Sequence, residues 1–206
     1  MTTVPPQCEM FGHRRLSSVW SNLSDDILRY LNKSPENQAA GDNFKHRLGA
    51  VLTPQLLCLV VYRMAHCFHA KRWRRLAVLL SRFNLVAHKV NIPPQSCIGP
   101  GCLLPHPAGV TFFGTAGCGL TIYSLAVCCP AEPFVDWAAE KAPRLGDRVT
   151  LGAHSTVVGP IIVGDDCKIA YSVRLERNAP PAMLVVSKAL HATREPLLTG
   201  CTAASA

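Results

Sequence analysis

A period of six residues constrains this chain more than any other feature. Aliphatic or small apolar residues recur at Ile92, Ile98, Leu104, Val110, Ala116 and Ile122, and in a shifted frame at Leu145, Leu151, Val157, Val163, Ile169 and Leu175. An amphipathic helix shows its apolar face every three to four residues and a half-exposed strand every two, so neither alone accounts for six. Self-similarity at a short fixed period marks a parallel β-helix, in which each unit supplies one flat side and one corner. The residue after the aliphatic one is often glycine (Gly99, Gly146, Gly152, Gly164) or the small Ala170, as suits a corner too tight for a large side chain. The aliphatic side chains then stack inward, coil upon coil, into a narrow core.

The two ladders are out of frame because segment 128–143, CCPAEPFVDWAAEKAP, lies between them. Kept in register it would turn the second ladder outward, so it must leave the coil as a loop, and such loops usually carry binding function in repeat folds. The expected organisation has four parts. Residues 1–50 are an N-terminal extension with a short helix from Ser17, where Val19, Leu23, Ile27, Leu28 and Leu31 recur at helical spacing and Asp25-Asp26 marks an internal restart. Residues 51–90 are an α-helical segment with Pro54 in its first turn. Residues 91–183 are the β-helix with its excursion at 128–143, and 184–206 a polar tail.

Composition narrows the partners. The formal charge is +8 and the pI about 9.1, but apart from Lys71, Arg72, Arg74 and Arg75 the basic residues are scattered. That favours anionic small molecules over nucleic acid, which wants a clustered basic face with interleaved aromatics. Ten cysteines form no CxxC pair, so the usual zinc and thioredoxin spacings are absent and no metal is expected. Residues 1–15 hold no apolar run ahead of a small-residue cleavage site, so a cytoplasmic chain with free thiols is the expectation. The adjacent Cys128 and Cys129 read as small apolar residues. His66 and His69 have a metal-capable spacing without a third ligand nearby, so they read as packed helix histidines. The run 55–69 is apolar nearly all round, yet Arg63, His66 and His69 interrupt it short of the ~20 residues a membrane span needs. A helix buried against other subunits is expected there. Segment 73–90 is amphipathic, its basic side the solvated face of a packed helix, with contact to a membrane surface as the alternative.

Specific motifs add a resemblance. Tyr62-Arg63-Met64-Ala65-His66, Asn91-Ile92-Pro93-Pro94, Ile98-Gly99-Pro100-Gly101 and Leu104-Pro105-His106-Pro107-Ala108-Gly109-Val110 follow one another. Leu151-Gly152-Ala153, Val163-Gly164-Asp165-Asp166-Cys167-Lys168-Ile169 and Pro180-Pro181 come later. In order and spacing, from about Pro54 to Met183, the chain resembles the serine O-acetyltransferases of the left-handed β-helix acyltransferases. It is similar in particular to a divergent branch reading LPHPxGV where the best-known members read LDHATGI. The resemblance implies an N-terminal α-helical segment followed by a left-handed parallel β-helix, a homotrimer or dimer of trimers, and acetyl-CoA as donor. It implies acetyl transfer to the hydroxyl of L-serine, giving O-acetylserine on the way to cysteine.

On the same resemblance His106 takes the place of the catalytic histidine. A serine hydroxyl is too weak an acid to attack a thioester unaided, and histidine is suited to taking its proton; the bland alternative is a corner histidine making one backbone bond. Lys141 and Asp136 then belong to the acceptor, and Gly152, Ala153 and Lys168 to acetyl-CoA. The departures are concrete. The carboxylate expected before the histidine is Pro105, the second histidine falls on Ala142, paired glycines become Cys128-Cys129, and two residues are missing around Cys118-Gly119-Leu120. Asp42, Glu132, Asp136 and Glu140 are the carboxylates available as substitutes. Two alternatives follow: the same fold acting on another hydroxy acid, an amine or a sugar, or a degenerate, non-catalytic scaffold member.

Overall fold

The computed structural model describes residues 16–33, 49, 52–132 and 140–187. Among the described residues three helices, α1 (Leu16–Lys33), α2 (Pro54–Ala70) and α3 (Arg74–His88), precede twelve strands of two or three residues. The strands form three parallel sheets. The first contains β1 (Cys97–Ile98), β3 (Thr115–Ala116), β6 (Arg144–Leu145) and β9 (Ile162–Val163). The second contains β4 (Thr121–Ile122), β7 (Thr150–Leu151), β10 (Lys168–Ile169) and β12 (Leu184–Val185). The third contains β2 (Thr111–Phe112), β5 (Val127–Cys129), β8 (Thr156–Val158) and β11 (Arg174–Leu175). Successive strands fall on successive sheets, so the chain winds round a three-sided prism, the parallel β-helix expected from the period of six, with the left hand that the family resemblance implies.

One coil takes 18 residues, since Ile98 stacks on Ala116 and Leu151 on Ile169. Ala116 instead meets Leu145, 29 positions on. The surplus leaves the prism after Cys129, at the edge between the third and first sheets. The ladder differs from the sequence expectation at one rung. Phe112, not Val110, stands in register with Cys128, while Val110 is buried at the corner before it. The corner holding His106 is two residues longer than the ladder's step and the Phe113-Gly114 corner two shorter, so the coil length survives. The missing residues therefore belong at Phe113-Gly114, since Ala116 to Ile122 keeps the step of six. Cys128 is buried among the ladder residues, as a small apolar residue should be.

The corners are held by interlocking backbone bonds. At the edge between the second and third sheets Gly109, Leu125, His154 and Ser172 all take φ of 55–72°. The N–H of Leu125, His154 and Ser172 donates to Ala108, Ser124 and Ala153 oxygens at 2.9–3.0 Å. Left-handed backbone costs a non-glycine residue on the order of 1–3 kcal/mol and persists only where its surroundings enforce it; here each coil enforces the next. Gly99 is required for another reason, close approach: a Cβ on it would lie 2.6 Å from the Gly117 oxygen.

The helices close the top of the prism. In β1 the outward-facing groups of Ser96, Ile98 and Gly99 have no strand above them, and α2 answers them. Tyr62 Oη donates to Ser96 O at 2.8 Å and accepts from Ile98 N at 3.2 Å. Arg63 donates to Ile98 O at 2.5 Å and Gly99 O at 2.7 Å, and His66 Nδ1 lies 2.8 Å from Pro94 O. Arg63 also forms a two-pronged pair with Asp26 of α1, both bonds at 3.0 Å, and Asp26 accepts the Cys102 N–H at 2.7 Å. Burial pushes the Asp26 carboxyl up against the opposing pull of Arg63; burial also opposes the Arg63 charge, yet Asp26 leaves its proton held more tightly than usual. Helix α1 is accordingly continuous through Asp25-Asp26, and the expected internal restart is corrected: Asp26 faces inward because its partner waits there.

Helix α3 follows α2 through a turn at Lys71–Trp73, where Arg72 takes φ 66° and the Phe68 and Trp73 rings stack 5.6 Å apart. No described helix is long and apolar enough to cross a membrane. Seven described cysteines are free thiols, whereas Cys97 is disulfide-bonded, which corrects the expectation of free thiols at that position.

Candidate active site

His106 sits in the corner that carries the chain from Leu104 on the second sheet to Phe112 on the third. Prolines on both sides restrict its backbone. The loop is pinned at three points: Gly109 N donates to Lys89 O at 3.0 Å, Val110 N to Pro107 O at 3.3 Å, and Leu125 N to Ala108 O at 3.0 Å. Gly109 takes φ 72°, and a Cβ on it would lie 2.4 Å from the Leu125 side chain, which would have to move aside. The result is an exposed imidazole on a fixed backbone, with no hydrogen-bond partner among the described residues. The bland alternative, a corner histidine bonded to backbone, is thereby not what is seen.

Below His106 the same edge carries Tyr123-Ser124-Leu125 in the second coil and Gly152-Ala153-His154 in the third, stacked through the bonds already described. At the ~4.8 Å strand spacing of a sheet, two coils place Gly152 and Ala153 about 10 Å beneath the His106 corner. Lys168 lies one coil lower, exposed on the second sheet in β10. The edge therefore stacks the His106 corner over the Tyr123-Ser124-Leu125 and Gly152-Ala153-His154 corners, with the Lys168 cation on the adjoining sheet below. His154, exposed at this edge, belongs to none of the sequence motifs. Its signal was present: Leu125, His154 and Ser172 each follow a ladder residue, Ile122, Leu151 and Ile169, by three.

The other candidates fall elsewhere. Lys141 is exposed where the excursion returns to the prism, at the edge between the third and first sheets, a full face away from His106 within one chain. Its neighbours Ala142 and Pro143 are buried, and Pro143 O accepts the Thr115 N–H at 3.1 Å. Asp136 and Asp42 lie outside the described residues; Glu132 and Glu140 are exposed at the two ends of the excursion. The two histidines of α2 are not part of the edge. His66 is buried in the cap, and burial pushes its pKa down to about 4.

Comparison with known proteins decides the family. A serine acetyltransferase from Helicobacter pylori is 32% identical over 177 residues, covering 84% of this chain and 98% of that protein. The chain belongs to the serine acetyltransferase family. A serine acetyltransferase from Mycobacterium tuberculosis is 32% identical over 127 residues, 61% of this chain and 54% of that protein. The crystal structure of the Neisseria gonorrhoeae serine acetyltransferase matches the fold with a TM-score of 0.73 at 20% identity, covering 84% of this chain and 65% of that one. The chain thus spans almost all of the Helicobacter relative but less than two thirds of the solved Neisseria chain. No protein-family model matches it. Pro105, directly before His106, supplies no carboxylate to orient the ring.

Proposed function

We propose that this chain transfers an acetyl group from acetyl-CoA to the hydroxyl of L-serine, with His106 as the general base. The observation that carries the proposal is the exposed His106 corner standing on the same edge as the Gly152-Ala153 corner. A ring nitrogen of His106 takes the hydroxyl proton as the serine oxygen attacks the thioester carbonyl. The tetrahedral intermediate collapses by breaking the C–S bond, and the departing thiolate takes the proton back from the imidazolium, leaving O-acetylserine and CoA. The small residues Gly152 and Ala153 leave room for the narrow pantetheine arm, and Lys168 offers a cation to the phosphates below it.

Lys141, assigned to the acceptor's carboxylate, is a face away from His106 in one chain. A closed homotrimer resolves this: rotation about a threefold axis sets the His106 edge of one protomer against the excursion edge of the next. Pro105 and Ala142 favour a second reading of the acceptor, another hydroxy acid, an amine or a sugar, since those two positions lack the carboxylate and the second histidine that the resemblance implies.

Release of free thiol from acetyl-CoA, measured against serine and a panel of other hydroxy acids, amines and sugars, tests both. Turnover with serine is expected, and His106→Ala should lower it about 100- to 10,000-fold while leaving acetyl-CoA affinity nearly unchanged. Full activity in His106→Ala overturns the mechanism. CoA binding without acyl transfer to any acceptor overturns the enzyme reading in favour of a scaffold.

A further inference from the structure

Helix α3 touches the rest of the protein through a thin strip: Ala77 and Asn84 are its only buried residues, and Asn84 Nδ2 donates to Cys58 O at 3.0 Å. The outward side is apolar. Leu76, Leu79, Phe83 and Val86 recur at steps of three and four, which puts them on one stripe. Leu79, Phe83 and Val86 are 63%, 53% and 71% exposed, and Trp73, one step before the stripe, is 60% exposed. Among the described residues, every charged side chain on α3 and the turn before it is positive. Arg75, Arg82 and Lys89, seven apart, flank it, and Arg72 and Arg74 line an open cleft with Trp73, Arg75 and Leu76 at the start of the helix. Residues 43–131 hold nine lysines and arginines and no aspartate or glutamate. Among those nine, Arg63 is neutralised by Asp26, while Lys71, Arg72, Arg74, Arg75, Arg82 and Lys89 are all exposed.

The occupant must therefore be apolar and anionic at once. A second copy of the chain is a poor match, because joining two stripes brings the Arg75 and Arg82 ridges together with no carboxylate between them. Spanning is ruled out by length: fifteen residues reach about 22 Å at 1.5 Å each, short of a hydrocarbon core of about 30 Å. We propose that α3 lies flat on an anionic lipid surface, with the Leu76-Leu79-Phe83-Val86 stripe and Trp73 at the acyl boundary and the flanking arginines at the headgroup phosphates. Arginine stems suit this, since they cover apolar surface while their heads remain wet. The stripe contains no residue of the candidate site, although the chain reaches the His106 corner directly after α3, where Lys89 O accepts the Gly109 N–H.

Flotation of the full chain with phosphatidylcholine vesicles, with and without phosphatidylglycerol, tests the proposal. The protein should float with the anionic vesicles, remain behind with the neutral ones, and be released by high salt. Arg75→Gln/Arg82→Gln should lower the partition coefficient roughly 25-fold, about fivefold for each cation. Leu79→Ser/Phe83→Ser should abolish flotation while leaving circular dichroism and thiol release from acetyl-CoA unchanged, because both side chains point outward. No flotation with anionic vesicles overturns the proposal, whether or not the protein is retained on immobilised polyglutamate. So does flotation that neither double variant weakens. A lower molar mass for the serine variant in light scattering assigns the stripe to a second copy and overturns it as well.

Discussion

Protonating His66 should loosen the joint between the helical cap and the prism. Its Nδ1 faces the Pro94 carbonyl at 2.8 Å, so that nitrogen carries the hydrogen and donates. Burial holds the ring's pKa at about 4 against the pull of that carbonyl, whereas in the unfolded chain it returns to about 6.5. Between those two values the unfolded chain binds more protons than the folded one, so stability falls as pH drops through the window and is untouched above it. At about 1.36 kcal/mol per unit the loss is about 2 kcal/mol by about pH 5 and about 3 kcal/mol in full below about pH 4. Urea unfolding followed by circular dichroism at fixed protein concentration measures it, with His66→Asn as the reference, because the amide reaches the same carbonyl and does not titrate. Other titrating groups, Asp26 and His69 among them, are common to both proteins and cancel in the difference. The stability gap between variant and wild type should shift by about 2 kcal/mol between about pH 7 and about pH 5. A gap that stays constant over that range would refute the assignment of a buried, neutral His66.

Three further outcomes are expected. Arg63→Met strands the Asp26 carboxyl in the cap and should cost about 3–5 kcal/mol in chemical unfolding; adding Asp26→Asn should recover part of it, and an unchanged midpoint for Arg63→Met would count against the ion pair. Val163→Asp puts an unpaired charge into a fully buried rung and should prevent the coil from forming; a soluble protein with wild-type melting temperature contradicts the stacking described here. Pro105→Asp restores a carboxylate beside His106 and should raise kcat in the thiol-release assay by steadying the imidazolium; an unchanged kcat would mean that ring orientation does not limit the reaction.

The prism was legible because its requirement is local and repeated: one inward aliphatic residue per side, at a spacing that one-residue slips would ruin. Phe112 escaped because two length changes, one longer corner and one shorter, cancel over a coil and leave the frame beyond them intact. Asp26 was misread as a helix interruption because a carboxylate on an inward face looks like an error until its partner is known, and Arg63 is 37 positions away. The Tyr62-Arg63-His66 run was visible as a motif, yet its work, answering the upper edge of β1, depends on which strand comes first in the solenoid. For the site, His106 was found through its flanking residues. The separation of Lys141 from it was not, since which edge a residue occupies depends on the length of every corner before it.

The cap has a consequence for what the solenoid is prevented from becoming. A β-helix grows by offering its last strand to another, and a prism open at both ends is a monomer for fibre growth. Here Tyr62 and Arg63 occupy the Ser96, Ile98 and Gly99 groups that a further coil would use. Strand addition at that end is closed, so even a pairing through the far end would stop at two prisms and never propagate into a filament.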